Sequence, residues 1–359
     1  MTLTRLQLAQ FRSWPRLSLD LDPRPTAIFG PNGAGKTNIL EALSMLAPGR
    51  GLRGAAAPDQ ARQAAGAGWR IRAQTADRGV ECTAPPGQNR QVRIDDKPVP
   101  QTALARLFRV IWLVPAMDRL WTDPPETRRR FLDRLTLSFA PDHAEHALAY
   151  DKAMRERNRL LRDQVADAGW YRALESQMGE SGAALTRNRL AALDGLQQAQ
   201  AQGSDAFPAA TLSLLAGEGL SDDPDPDSIA ARLAATRPRD LAAGRSLTGP
   251  HRADLGAVWG PQDMPAALAS TGEQKALLLS LVLANARALA EWRPLLLLDE
   301  VAAHLDAGRR ALLYDELVVL PAQAVLTGTG AELFDSLQSR GRMLHVSTGP
   351  DGSVISGDT

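Results

Sequence analysis

Leu3, Leu6 and Leu8, then Leu17, Leu19 and Leu21, fall at strand-like intervals on either side of Arg12-Ser13-Trp14-Pro15, which predicts two strands folded back as a hairpin. Thr26-Ala27-Ile28-Phe29 reads as a short buried strand running into a glycine-rich turn. Leu40, Leu43 and Leu46 then give residues 38–46 helical spacing, until Pro48-Gly49-Arg50-Gly51 ends the run. Trp69, Ile71, Val80, Val92 and Ile94 return to strand intervals, and Val110-Ile111-Trp112-Leu113-Val114-Pro115 predicts one more buried strand.

From about Glu126 to Leu247 the period becomes helical, with Tyr150, Met154, Leu160, Leu161, Leu174, Met178, Leu185 and Leu190 as apolar stripes. Residues 217–228 (GEGLSDDPDPDS) are acidic and proline-rich and predict an exposed loop. After Thr248 the mixed pattern resumes: a helix at 273–290, a strand at Leu295–Leu298, a helix at 307–319 and a strand at 324–327. The expected architecture is one α/β domain built from both chain ends, 1–120 and 248–359, with a mainly helical lobe, 121–247, inserted between them. No internal repeat is visible.

At 359 residues the chain is longer than one ordinary domain, in keeping with a second lobe. Its 41 basic and 41 acidic residues cancel, so any nucleic-acid partner must be held by local patches rather than by overall attraction. Lysine occurs only at 36, 97, 152 and 275. The one cysteine, Cys82, excludes internal disulfides and fits a reducing compartment. The N-terminus lacks a signal-peptide core, and the longest apolar stretch, around Ala276–Ala284, is too short to span a bilayer. A cytoplasmic protein without a membrane partner is expected. The tryptophans are scattered and read as core anchors rather than base-stacking platforms. One Cys and five His offer no metal-ligand spacing.

The chemistry concentrates in a few motifs. Gly30-Pro31-Asn32-Gly33-Ala34-Gly35-Lys36-Thr37 fits G-x-x-x-x-G-K-[ST] between a predicted strand and a predicted helix. Such a loop turns successive backbone N–H groups toward phosphate oxygens, Lys36 supplies a cation for the β- and γ-phosphates, and the Thr37 hydroxyl can ligate Mg²⁺. The apolar strand Leu295–Leu298 ends in Asp299, suited to the Mg²⁺ shell, and Glu300, placed to orient or deprotonate an attacking water. Ser270-Thr271-Gly272-Glu273 opens the next long helix upstream of that strand. Ser270 and Glu273 have the spacing of a capping box, and the same helix start is equally an anion site. Both readings stand together.

With these motifs in place the chain resembles the RecF family, ATPases of the ABC/SMC type, along nearly its whole length. The resemblance is carried by Gln10-Phe11-Arg12-Ser13-Trp14, by the phosphate loop with Asn38-Ile39-Leu40-Glu41-Ala42, and by Pro48-Gly49-Arg50-Gly51-Leu52-Arg53. It continues through Pro124-Pro125, Arg128-Arg129-Arg130-Phe131-Leu132-Asp133, Arg157-Asn158-Arg159-Leu160-Leu161 and Leu247-Thr248-Gly249-Pro250-His251-Arg252. It implies an ABC-type P-loop ATPase head with ATP and Mg²⁺. Ser270, Gly272 and Glu273 would act as a signature on the nucleotide of an opposite subunit, and Asp306 would lie in the D-loop. It further implies an ATP-dependent homodimer that clamps DNA at single-strand gaps and junctions, slow DNA-stimulated hydrolysis, and RecR and RecO mediators. RecA loading, recombinational repair, replication recovery and the SOS response complete the expectation. The chain departs from the family at Ala303, where a D-loop serine is usual, and Leu326-Thr327-Gly328-Thr329 lacks the switch histidine of transporter ATPases.

Arg155, Arg159 and Arg162 share one helix face and suit sequence-independent phosphate contacts, or else a solvated face paired with Asp151, Glu156 and Asp163. Arg50 and Arg53 are further DNA candidates. Arg128–Arg130 read either as DNA contacts or as partners of Glu126 and Asp133, and His251 and Arg252 either as structural donors or in communication between lobes. A transporter ATPase subunit fits poorly with the long helical insertion. A small-molecule P-loop kinase fits poorly with the helix at Ser270.

Overall fold

Strand alternation at the chain's start closes into the tightest possible hairpin. In the computed structural model, which describes residues 2–63, 66–203, 207–217, 225–260 and 263–357, β1 (Leu3–Phe11) and β2 (Trp14–Asp20) pair antiparallel with Phe11 opposite Trp14. The turn is therefore Arg12-Ser13 alone, with Arg12 at φ 53°, and Trp14 and Pro15 belong to β2 instead of the connection. Then follow β3 (Thr26–Phe29), α1 (Lys36–Ser44), β4 (Trp69–Thr75), β5 (Gly79–Ala84), β6 (Gln91–Ile94), β7 (Lys97–Val99), α2 (Leu104–Leu107) and β8 (Val110–Leu113).

The chain divides into two units, residues 1–117 with 285–359, and residues 118–284. The second unit holds α3 (Pro125–Phe139), α4 (His143–Arg162), α5 (Ala168–Ala201), β9 (Ala210–Leu215), α6 (Pro226–Ala235), α7 (Arg237–Ala243), β10 (Asp254–Trp259), β11 (Met264–Pro265) and most of α8 (Thr271–Ala288). After it come β12 (Leu295–Leu298), α9 (Ala307–Val319), β13 (Gln323–Gly328), β14 (Arg342–Gly349) and β15 (Gly352–Gly357). The boundary expected after Leu247 thus falls inside α8, because β10 pairs with β9 on one side and β11 on the other in a separate three-stranded sheet. A period of two marks a strand without naming its neighbour, which is why 248–284 read as part of the head.

The first unit contains two six-stranded sheets. One is antiparallel, in the order β2-β1-β4-β5-β6-β7. The other runs β15-β14-β3-β13-β12-β8, with β14, β3, β13, β12 and β8 mutually parallel and β15 antiparallel at the edge. Strands β8, β12 and β13 are buried at every position, as parallel strands covered on both faces require. Ile39, Leu40 and Leu43 of α1 share one apolar core with Leu6, Phe11 and Ile71 of the antiparallel sheet and Leu297, Val325 and Val346 of the parallel one.

In the second unit a buried guanidinium organises the helices. Arg157 on α4 is wholly buried and donates to Asp240 Oδ2 at 2.7 Å, Ser246 Oγ at 2.7 Å, Leu233 O at 3.0 Å and Glu175 Oε1 at 3.2 Å. Arg237 holds the other oxygen of Glu175 at 2.5 Å. Nearby, Nε2 of His251 lies 3.2 Å from Ser246 O, an atom that only accepts, so Nε2 carries the proton and Nδ1 accepts from the Tyr150 hydroxyl at 2.8 Å. Burial, with Arg252 and Arg129 nearby, pushes His251 down from 6.5 to about 4. His251 thus links Tyr150 to the Ser246 carbonyl. Trp170 and Trp292 are exposed, against the expectation that the tryptophans anchor cores. Of the acidic stretch 217–228, residues 218–224 lie outside the described set, while Asp225 caps α6 by accepting from Ser228 N. No described helix is long and apolar enough to cross a membrane.

Arg157→Ala leaves Asp240 and Glu175 buried without their shared cation, and should lower unfolding stability by about 3–5 kcal/mol in urea titrations. Because His251 has a folded pKa below its ordinary value, its contribution is complete above pH 6.5 and is lost as the pH falls toward about 4. The loss should reach the order of 3 kcal/mol, and His251→Gln should flatten the pH dependence of the urea midpoint across that interval.

Candidate active site

Strands β3, β13 and β12 end at one edge of the parallel sheet, and the carboxyl ends of parallel strands are where α/β folds assemble ligand sites. After β3 the chain turns through Gly30–Gly35 into α1. Gly30 has φ 147°, and a Cβ there would stand 2.0 Å from Val346 O. Gly35 has φ 104°, and its Cβ would meet Ser353 Oγ at 2.3 Å and Ser13 Oγ at 2.5 Å. No other residue fits either position. Pro31, Asn32 and Gly33 form an exposed rim, whereas Ala34, Gly35 and Lys36 are buried.

Helix α1 begins at Gly35 with no side-chain cap and no acidic residue in its first turn. Its first N–H groups and the positive end of its dipole are thereby left to an anion. Lys36 is only 4% exposed and donates from Nζ to Gly30 O at 2.8 Å and Pro31 O at 3.0 Å. Burial lowers its pKa, and the charges of Glu300 and Asp299 oppose that shift.

The acidic end of β12 meets this loop through hydroxyls. Asp299 Oδ1 accepts from Thr37 Oγ1 at 2.9 Å and from Thr327 Oγ1 at 2.7 Å. Thr327 Oγ1 in turn accepts from the Glu300 backbone N–H at 3.0 Å. One wholly buried threonine on β13 therefore ties both carboxylate residues that follow β12 into place. Glu300 sits at φ 54°, a left-handed conformation that costs a non-glycine residue about 1–2 kcal/mol. Thr37 and Asp299 present hard oxygen donors, the ligand type Mg²⁺ takes, beside a phosphate-sized loop. Among the described residues no group of three His, Cys, Asp or Glu side chains could hold a metal alone, so any cation here would need other ligands as well.

A second ring of contacts fixes the loop from outside. Trp14 Nε1 donates to Gly35 O at 3.1 Å, Asn38 Nδ2 to Ser13 Oγ at 2.7 Å, and Ser353 Oγ reaches Ala34 O at 2.5 Å and Ser13 Oγ at 2.7 Å. Glu41, wholly buried on α1, is gripped in bidentate fashion by Arg12 at 2.9 and 2.6 Å. Arg53 also reaches Glu41, at 3.3 Å, and Asn38 Oδ1 at 3.0 Å. Of the two DNA candidates on this loop, both exposed, Arg53 has partners on α1. Ser13, Asn38 and Thr327 lie in motifs visible in the sequence without a role being assigned to them, and Ser353 lies outside every motif. Only Thr327 carried a signal, a hydroxyl at the end of a buried strand.

The remaining candidates have surroundings of their own. Ser270, Gly272 and Glu273 belong to the second unit. There Glu273 Oε2 accepts from the Ser270 N–H at 2.8 Å and from its hydroxyl at 2.7 Å, so the capping box is formed. Ser270 and Gly272 are exposed, and a Cβ at Gly272 would meet nothing within 4 Å. Asp306 is exposed and caps α9, its Oδ1 accepting from Arg309 N at 2.9 Å, which lowers its pKa. Ala303 is exposed. Arg155, Arg159 and Arg162 all face outward on α4, with Arg159 in a loose 3.7 Å pair with Asp163. Arg128 is bidentate to Asp254 at 2.9 and 2.7 Å, Arg129 donates to Ala253 O and Arg130 pairs with Glu126. The three are intramolecular partners, although Asp133 is taken by Arg189 and His143.

Comparison with known proteins bears on the chain as a whole. Residues 2–348 match the family model of the RecF/RecN/SMC N-terminal domain. The DNA replication and repair protein RecF of Caulobacter sp. (strain K31) is 46% identical, over 96% of this chain and 96% of that protein. The corresponding protein of Mesorhizobium japonicum is 44% identical over 98% and 97%. Among solved structures, the recombination mediator protein RecF-ATP of the RecFOR pathway superposes with a TM-score of 0.85 at 21% identity, covering 99% of this chain and 97% of that one. An Smc head bound to the C-terminal winged-helix domain of ScpA gives 0.59 at 14% identity. At those identities the structures establish the ABC-type head fold, while the two relatives establish kinship: this chain belongs to the RecF family of DNA replication and repair proteins.

Proposed function

We propose that the chain is an ATP-driven switch that closes on DNA. The observation that carries this reading is the Asp299 carboxylate, held between the hydroxyl of the phosphate loop, Thr37, and the hydroxyl of Thr327 that also fixes Glu300. In it, residues Gly30–Thr37 cradle the triphosphate of ATP, with Lys36 exchanging its bonds to loop carbonyls for β- and γ-phosphate oxygens. Mg²⁺ bound by Thr37 and Asp299 would neutralise charge on those oxygens. Glu300 orients and deprotonates the attacking water.

Ser270 and Gly272 complete the pocket from a second copy. The bare surface at Gly272 supports that role: glycine in a first helical turn is not required by any neighbour in its own chain, yet it leaves room for a close approach. Asp306 at the head of α9 would accompany it. The ATP-held homodimer clamps DNA at single-strand gaps and duplex junctions, with Arg50, Arg155, Arg159 and Arg162 as phosphate contacts. In the cytoplasm it would work with RecR- and RecO-like mediators to load RecA during recombinational repair, replication recovery and the SOS response. Hydrolysis is slow and DNA-stimulated, in keeping with Ala303 in place of a hydroxyl.

Three variants test the switch by sedimentation and turnover with ATP-Mg²⁺ and gapped DNA. Lys36→Arg should lose or uncouple ATP-driven dimerisation. Glu300→Gln should trap an ATP-bound dimer on DNA with turnover lowered about 10²- to 10⁴-fold. If both remain monomeric at saturating ATP and DNA, the clamp mechanism is wrong. Thr327→Val should retain ATP binding while slowing hydrolysis about 10- to 100-fold, the usual scale for removing a group that orients a metal ligand.

A further inference from the structure

The solvent face of the antiparallel sheet carries a feature that neither the phosphate site nor the α4 stripe uses. Across β2, β1 and β4, Ala9 stands opposite Arg16 on one side and Arg70 on the other. Strands lie about 4.8 Å apart, so the two arginine Cα atoms flank a single methyl group at a separation of about 10 Å. One step along, Gln7 stands opposite Ser18 and Arg72. These six residues line a trough of about 420 Å³.

Charge is distributed unevenly along this face. Toward its other end the cations are spent: Arg5 pairs with Asp20 at 2.5 Å, Arg72 with Glu81 at 2.5 Å, and Arg78 with Asp95 at 2.6 Å. Arg93 donates to Asp96 O. Arg16 and Arg70 are exposed, and neither side chain makes a hydrogen bond or ion pair with another described residue. With the whole chain at net zero, two uncommitted guanidiniums lining one trough beside an alanine give this end of the face a local positive charge.

We infer that this trough binds the phosphodiester backbone of duplex DNA, through Arg16 and Arg70 with Gln7 and Ser18 as supporting donors. The choice of occupant follows from what the face lacks. Stable protein partners anchor on buried aromatic or aliphatic side chains, and no described residue of β1, β2, β4, β5 or β6 is an exposed large hydrophobic. Single strands are held by stacking on aromatic platforms, which are equally missing. A shallow, polar, cationic surface suits a backbone read without bases. The inference rests on the proposed DNA-binding function and adds a surface to it.

The test uses the full chain with ATP-Mg²⁺ and fluorescence anisotropy on a labelled 30-base-pair duplex over a salt series. In the double variant Arg16→Gln, Arg70→Gln, the slope of log K against log salt should fall in magnitude by about 1.8, roughly 0.9 per phosphate contact, with binding roughly tenfold or more weaker near 0.15 M salt. Its melting temperature and DNA-free ATP turnover should match the parent chain, and Arg5→Gln, already committed to Asp20, should leave the slope unchanged. An unchanged slope in the double variant overturns the site while leaving the clamp intact. An equal loss with Arg5→Gln overturns it in favour of diffuse charge. Equal capture of a polyglutamate peptide, lost in the same variant, overturns it in favour of an acidic protein partner. A parent chain that binds no duplex even at low salt overturns the DNA-binding function and this site together.

Discussion

One oxygen atom, Asp299 Oδ1, sets the geometry of the site. It accepts hydroxyl bonds from two strand-end neighbourhoods at once, from Thr37 beyond β3 and from Thr327 on β13. Parallel pairing makes this possible, because Leu298 lies level with Leu326 and Thr327 level with Ile28, so the ends of β12, β13 and β3 arrive together. Thr327 and Asp299 are buried, and in that setting each bond is stronger and each unpaired group more costly. The left-handed backbone of Glu300 persists because the Thr327 hydroxyl holds the N–H at that residue.

The second unit solves a different problem with similar means. Arg157, Glu175 and Asp240 are charged and out of water together, which costs desolvation that their mutual attraction roughly offsets. What the arrangement supplies is geometry, since α4, α5, α7 and the segment at Ser246 must all be correctly placed for the donors of one guanidinium to be filled. Asn158, accepting from both the N–H and the hydroxyl of Ser246, extends the same network.

Much of the head was legible in the chain. The phosphate loop, the Leu295–Leu298 strand with its two carboxylates and α9 all stand where periodicity and motif placed them, because each has strong local chemistry. β14 and β15 went unseen: polar residues interrupt Arg342–Gly349, and a hairpin at a sheet edge needs no continuous apolar run. Strand β9 was hidden because its six residues, although flanked by Pro208 and Gly217, lie inside a tract of otherwise helical period. The side chains that brace the phosphate loop, Ser13, Asn38 and Ser353, are small polar residues of ordinary type, and their role arises from tertiary neighbours up to 340 positions apart in the chain. The arginines followed the same rule. Their charge was visible, but Arg53 and Arg128 found carboxylates that no local spacing could have indicated.

Ser353 on β15 donates to a carbonyl of the phosphate loop, and the sheet that seats that loop is finished only by β12, β13 and β14. During synthesis the loop emerges among the earliest segments and waits, without its floor, while the entire inserted unit is made. That unit, with its own core around Tyr150, Met178 and Leu233, can settle in the interval. In a nascent chain the Ala34 carbonyl of the loop therefore stays without its hydroxyl partner until β15 has been made.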